Sequence, residues 1–234
     1  MKIGILQCDS VLEALQPEFG DYPEMFADRL IAVAAEWQFM NYAVHLSEFP
    51  QSLDECDGYI TTGSRHSVYD DIPWIERLEE FVRDLNGAQK KLVGICFGHQ
   101  LIARALGGTI QKSDKGWAVG VSFNQIDRRK PWMEPFQPEL DLVVSHQDQV
   151  SHLPEGIEVL ASSQFCPYYM LQQGNHFMSV QGHPEFSKNY SYALMDGRRK
   201  RIPANRIREG MTSLSADVDD RLMFQWIINF FASG

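Results

Sequence analysis

The sequence is short of basic charge, of cysteine and of long apolar runs, and each shortage excludes something. Its 234 residues carry 21 Lys and Arg against 31 Asp and Glu, a formal net charge of −10. A general nucleic-acid binder shows the opposite balance, so no nucleic-acid partner is expected. No stretch approaches the roughly 18 consecutive apolar residues of a membrane span, so no membrane partner is expected either. The opening MKIGILQCDS has too short an apolar run, broken by Gln7 and Asp9, to read as a secretory signal. The four cysteines, Cys8, Cys56, Cys96 and Cys166, form no Cys-x-x-Cys pair and no zinc pattern. That spacing predicts free thiols in a reducing, cytoplasmic setting, with no metal. LGGT (106–109) lacks the Gly-Lys-Ser/Thr ending of a phosphate loop, and no cofactor is expected. No internal repeat or low-complexity linker divides the chain. One domain over 1–234 is expected, with a helical extension over about 187–234.

What is present is apolar patterning. Hydrophobic residues make up 44% of the chain, enough for a substantial core. KIGILQ (2–7) reads as a buried strand. Residues 23–38 repeat Met25, Phe26, Leu30, Val33, Ala34 and Trp37 at helical spacing. YAVHLSEF (42–49) and DGYITTG (57–63) read as strands. A helix is expected over 74–86, with Trp74, Ile75, Leu78, Phe81, Val82 and Leu85 on one face, and KLVGIC (91–96) as a fourth strand. The order βαββαβα, with near-continuous apolar strands, predicts an α/β fold: a doubly wound, mostly parallel sheet covered on both faces. From residue 117 the strands crowd together with little helix between them, which predicts an added antiparallel portion. The end is helical, with Asp217 as a cap and Leu222, Trp226, Ile227 and Phe230 on one face. GRRKRIPANRIR (197–208) packs six basic residues into an acidic chain, and reads as the solvated face of two helices joined at Pro203.

The chemistry-bearing stretch is GICFG (94–98), at the corner between the fourth strand and a helix. Gly-x-nucleophile-x-Gly is the pattern of a nucleophile elbow, which projects its central side chain from the carboxyl edge of a sheet. A thiol there meets the unpaired N–H groups and positive dipole of the helix start, which favour the thiolate. The N–H of Phe97 is placed as one oxyanion donor. The bland alternative is a buried structural cysteine; paired glycines argue against it. A nucleophile needs a base. Of seven histidines, His183 stands out in VQGHPEF (180–186), where Pro184 separates an imidazole from the carboxylate of Glu185. Glu185 is thus set to orient the ring towards Cys96.

GICFGHQLIARALGG and GHPEF together resemble the signatures of the class I glutamine amidotransferase family, the Cys-His-Glu type, over about residues 40–186. The likeness is greatest to free-standing, GMP-synthase-like amidotransferase domains, and it implies their flavodoxin-like fold. It implies that Cys96 attacks the γ-carboxamide of glutamine to form a γ-glutamyl thioester, that His183 protonates the departing ammonia and that Glu185 orients it. Gln100 matches a residue that holds bound glutamine, and Ser145, His146 and Gln147 in SHQDQV match a segment at the substrate's α-amino and carboxylate end. TTGSRHS matches the second oxyanion element, where an N–H at Gly63 or Ser64 joins that of Phe97. Gly63-Ser64-Arg65 departs from the Gly-Gly-Pro of many biosynthetic members, which puts the loop's shape and the choice of substrate in question. Arg65 and His66 read as solvent-facing.

Three functions are left in competition. The first is a glutaminase that passes ammonia to a separate synthetase subunit. The second is a γ-glutamyl peptidase or hydrolase acting alone on small γ-glutamyl compounds. The third is a non-catalytic, flavodoxin-like binding protein. Oligomeric state is left open.

Overall fold

The computed structural model describes residues 1–233. Twelve strands and seven helices follow in chain order: β1 Lys2–Leu6, α1 Gln16–Phe19, α2 Tyr22–Ile31, β2 Gln38–Tyr42, β3 Gly58–Thr61, α3 Pro73–Gly87, β4 Lys91–Ile95 and α4 Phe97–Ala105. Then come β5 Thr109–Lys112, β6 Ala118–Ser122, β7 Gln125–Ile126, β8 Leu142–His146, β9 Asp148–His152, β10 Ile157–Ser162, β11 Met170–Gln173, β12 Phe177–Val180, α5 Lys188–Gly197, α6 Ala204–Ser213 and α7 Asp220–Ala232. The main sheet has eight strands in the order β2-β1-β3-β4-β12-β11-β10-β7. Its first five strands are parallel and its last three antiparallel. Two small ribbons, β5–β9 and β6–β8, stand outside it.

The burial of each strand follows from its place. GYIT in β3 and FMSV in β12 are buried throughout, as interior parallel strands covered on both faces must be. QFMNY in β2 has no buried residue, because it forms the edge. One face packs Phe26 and Leu30 of α2 and Trp226, Ile227 and Phe230 of α7 against Ile3, Ile60 and Val93. The other packs Leu78, Val82 and Leu85 of α3 and Leu101 and Ile102 of α4 against Leu6, Tyr59 and Leu92. Fully burying side chains of this size contributes about 1.5–3 kcal/mol each. The α/β architecture, the antiparallel addition and the apolar face of the last helix agree with the sequence reading.

Four local expectations are overturned. The helix expected over 23–38 begins on a capping box of Asp21 and Glu24 and ends at Ile31. Ala34 packs into the core after the helix and Trp37 lies against Phe231, so burial at helical spacing outlasts the helix itself. The strand expected over 42–49 lies earlier, at Gln38–Tyr42. Val44–Leu46 is instead a tight turn whose His45 Nδ1 lies 2.9 Å from the Gln7 carbonyl oxygen, ending at Ser47 with φ of 68°. The cap of α7 is Asp219, not Asp217. Its carboxylate accepts from the Asp141 N–H at 2.7 Å and its own N–H donates to the Asp141 carbonyl at 2.8 Å, which pins the helix start to a neighbouring loop. The basic stretch after Gly197 is not wholly solvated, as described below.

Candidate active site

The elbow is there, and its strain sits on the cysteine. Cys96 has φ of 50° and ψ of −93°, in a region that non-glycine residues avoid at a cost of about 1–3 kcal/mol. Neither flanking glycine has positive φ. They are required for contact instead. A Cβ on Gly94 would lie 2.8 Å from the backbone of Gly98, and a Cβ on Gly98 would overlap the Thr61 side chain. Strand and helix therefore touch backbone to backbone. The Cys96 N–H donates to the Val180 carbonyl at 2.9 Å, tying the corner to the end of β12.

That tie sets the partner, since His183 follows β12 by three residues. The His183 N–H donates to the Val143 carbonyl at 2.8 Å and its ring stacks on Phe186 at 3.9 Å between centroids. Nδ1 lies 2.7 Å from Glu185 Oε1, and both side chains are buried. The imidazole and Cys96 line the same pocket. Burial alone would lower the ring's pKa. The charges of Cys96 and Glu185, with their hydrogen bonds, outweigh burial and raise it to about 10, which favours the imidazolium whenever Cys96 is ionised. Gly63 lies directly over it: a Cβ there would sit 2.7 Å from His183 Cε1. Burial pushes the thiols of Cys8 and Cys56 up, and that of Cys166 up to about 12, which keeps these three protonated.

Ser64, Cys96, Phe97, Gln100, Ser145, His146, Gln147 and His183 line one pocket of about 140 Å³ at the carboxyl edge of the parallel strands. Every pocket residue expected from the sequence is brought to this place, with Gly63 and Glu185 in contact with the His183 ring. Their environments differ. Gln100 is buried, and its amide donates to the Asp148 carbonyl at 2.8 Å and to Gln181 Oε1 at 3.1 Å. His146 Nδ1 lies 3.1 Å from the Asp148 carbonyl oxygen, and burial holds the ring neutral with a pKa of about 3. Arg65 does not simply face solvent: its backbone and side chain both donate to Asp9, the latter at 2.7 Å, which fixes the loop after β3 to the loop after β1.

Several lining residues were not foreseen. Gln181 donates to Cys96 Sγ at 3.5 Å, and the signal for it was a polar residue directly after a buried strand and just before His183. Tyr22, Lys112, Trp117, Phe186, Arg198 and Arg201 also line the wall. The two arginines come from the basic stretch read as solvated. Arg198 is half-buried and donates to Ser145 Oγ at 2.9 Å.

A flavodoxin-like parallel sheet with its pocket beyond the strand ends defines the class of protein as a doubly wound α/β protein with a ligand site at the carboxyl edge of its sheet. The comparisons with known proteins narrow it. The glutamine amidotransferase class-I model matches residues 18–193. Gamma-glutamyl peptidase 3 of Arabidopsis thaliana is 30% identical over 97% of this chain and 94% of its own. A glutamine-hydrolysing GMP synthase subunit of Sulfolobus acidocaldarius is 32% identical over 58% of this chain and 70% of its own. The crystal structure of a glutamine amidotransferase from Thermotoga maritima superposes with a TM-score of 0.77 at 18% identity, covering 99% of each chain, a likeness of fold. The chain belongs to the class-I glutamine amidotransferase family, and is a hydrolytic enzyme of that kind. No helix among the described residues is long and apolar enough to cross a membrane.

Proposed function

We propose that this protein hydrolyses γ-glutamyl amide bonds through a thioester on Cys96, with His183 carrying the proton and Glu185 orienting and charging the ring. The observation that carries the reading is the meeting, in one pocket, of a strained cysteine at the helix N-cap position with the imidazole of a buried imidazole–carboxylate pair. The Cys96 thiolate attacks the γ-carbonyl carbon, and the carbonyl π pair moves to oxygen. That oxygen is received by the N–H groups of Phe97 and of the loop at Gly63–Ser64. As the tetrahedral centre collapses, the C–N bond breaks and the leaving amine takes the His183 proton. Water then gives a proton to His183 and attacks the thioester. Glutamate departs and the thiolate–imidazolium pair is restored. Gln100 and Gln181 hold the floor beside the sulfur, and Ser145, His146 and Gln147 form the wall for the substrate's amino-acid end.

A free-standing γ-glutamyl hydrolase is the favoured version. The near-full-length similarity to a gamma-glutamyl peptidase supports it, as does a loop fixed by Arg65 to Asp9 in place of Gly-Gly-Pro. Similarity to a GMP synthase subunit favours a second version, in which glutamine is the substrate and ammonia goes to a separate synthetase. One domain acting in a reducing cytoplasm, with all four thiols free, belongs to both.

Glutamate release from glutamine and from a panel of γ-glutamyl dipeptides, by the wild type and Cys96→Ser, tests the reading. Dipeptide turnover should fall about a thousand-fold or more in the variant, with folding intact. Turnover indifferent to Cys96→Ser would sink the assignment of the nucleophile. Release from glutamine alone would select the synthetase-coupled version.

A further inference from the structure

The pocket in front of Cys96 holds more positive charge than an amide with a single carboxylate needs. Lys112, Arg198 and Arg201 all line it. Among the described residues, none of the three forms an ion pair with a carboxylate, in a chain with 31 acidic residues. Burial pulls the Arg198 guanidinium below the usual arginine range, and apart from two phenols only Cys96 acts on it as an anion, a charge that is lost when the sulfur is acylated. Tyr22 and Tyr190 face Arg198, but burial pushes both phenols up, so neither supplies a charge. Asp148 also lines the pocket, with its carboxylate engaged by the Ser67 hydroxyl at 2.5 Å. A partly desolvated cation is costly until an anion meets it.

The cations stand at two depths. Arg198 is half-buried on Ser145; Arg201 and Lys112 are exposed at the rim. The Arg201 guanidinium lies 6.0 Å from the centre of the Trp117 ring. Trp117 is also the shared wall of a larger groove of about 790 Å³, lined by Phe123, Phe165, Arg206 and Ser213 among others. A group leaving Cys96 in that direction passes Arg201 and Trp117.

We infer that the preferred substrate is a γ-glutamyl amino acid or peptide bearing at least two carboxylates. Arg198 holds the glutamyl α-carboxylate. Arg201, with Lys112, holds the carboxylate of the departing amino acid, whose side chain runs along Trp117 towards the larger groove. This rests on the γ-glutamyl hydrolase reading above, and names the substrate class and the residues that select it. Glutamine is the weaker substrate because its leaving ammonia offers nothing to the outer pair of cations.

The test compares γ-glutamyl-alanine with γ-glutamyl-alaninamide, which differ in the outer carboxylate alone. The wild type should favour the first by about 10- to 100-fold in kcat/KM, the usual strength of a charge-assisted contact. Arg201→Ala should bring the ratio close to one, and Arg201→Lys should restore part of it. Arg198→Ala should weaken both compounds together, mainly through KM. A wild-type ratio near one overturns the inference, as does a ratio that survives Arg201→Ala combined with Lys112→Ala. Calorimetric titration of Cys96→Ser with the same two compounds reads the preference without turnover. A wild type that hydrolyses neither compound counts against the hydrolase reading alone. Equal Kd values for the two compounds overturn the anion site.

Discussion

The corner that holds Cys96 and the cationic wall facing it meet in one pocket but are built differently. The corner is dry and made by main chain: Gly94 touches Gly98, Gly98 touches Thr61, and Gly63 lies on the His183 ring. Its side chains are buried, and their positions follow from the sheet. The wall is made by long side chains, Arg198 and Arg201 from the turn between α5 and α6 and Lys112 from the end of β5, with the arginines set against one hydroxyl and one aromatic ring. The corner has almost no freedom, which suits a nucleophile that must meet its base within hydrogen-bonding distance. The wall can change its charge or reach without disturbing the sheet, which suits the choice of substrate.

The comparison breaks most visibly at Gly98. Gly98→Ala drives a Cβ into Thr61, whose Oγ1 accepts from the Ile95 N–H at 3.2 Å. A loss of about 3 kcal/mol in unfolding free energy is expected from urea titration. A corner that absorbs the methyl at less than about 1 kcal/mol would not be the rigid element described.

Glu185→Gln acts next, on rate and pH together. It removes one of the charges that raise His183 to about 10, so the ring loses its proton at lower pH. The alkaline limb of kcat/KM should move down and kcat should fall about 100-fold. Arg201→Ala should leave that limb in place, because Arg201 is not among the charges acting on His183. Movement of the limb with Arg201 and not with Glu185 would reverse the division of labour.

Acid stability is a smaller effect of the same dry interior. Burial holds His99 and His146 neutral, each with a pKa lowered to about 3. Their folded values lie below the unfolded value, so the unfolded chain binds protons first. Stability should decline as pH falls from about 6.5 towards 3, by up to about 1.4 kcal/mol per pH unit for each ring. A flat urea midpoint across that range would contradict their burial as neutral rings. At the other end of the scale, Gly197 closes α5 with nothing within 4 Å of a Cβ. Gly197→Ala should stabilise by about 0.5 kcal/mol, the opposite sign to Gly98→Ala.

The corner was legible because its demands fall on neighbours in sequence: two glycines two places from a cysteine, and a proline between a histidine and a glutamate. Three of the parallel strands, β1, β3 and β4, were legible because burial on both faces writes itself as continuous apolar residues; the edge strand β2 has no buried residue to announce it, and β12 reads like its antiparallel neighbours. Burial alone misled at Trp37 and Val44, which are packed by the tertiary fold without belonging to the expected element. The cationic wall was invisible for a further reason. Arg198 meets Ser145 across 53 residues, and a run of basic residues looks the same in sequence whether it faces water or a pocket.

The central claim is that Cys96 carries the γ-glutamyl group, and the most direct measurement is to trap it. The enzyme would be mixed with γ-glutamyl-alanine, quenched in acid within the first turnover, digested and weighed by mass spectrometry. The account predicts the added mass of one γ-glutamyl group on the peptide containing Cys96, lost on treatment with hydroxylamine and absent from Cys96→Ser. Glutamate release with that peptide unmodified, or with the group on Cys8, Cys56 or Cys166, would contradict it.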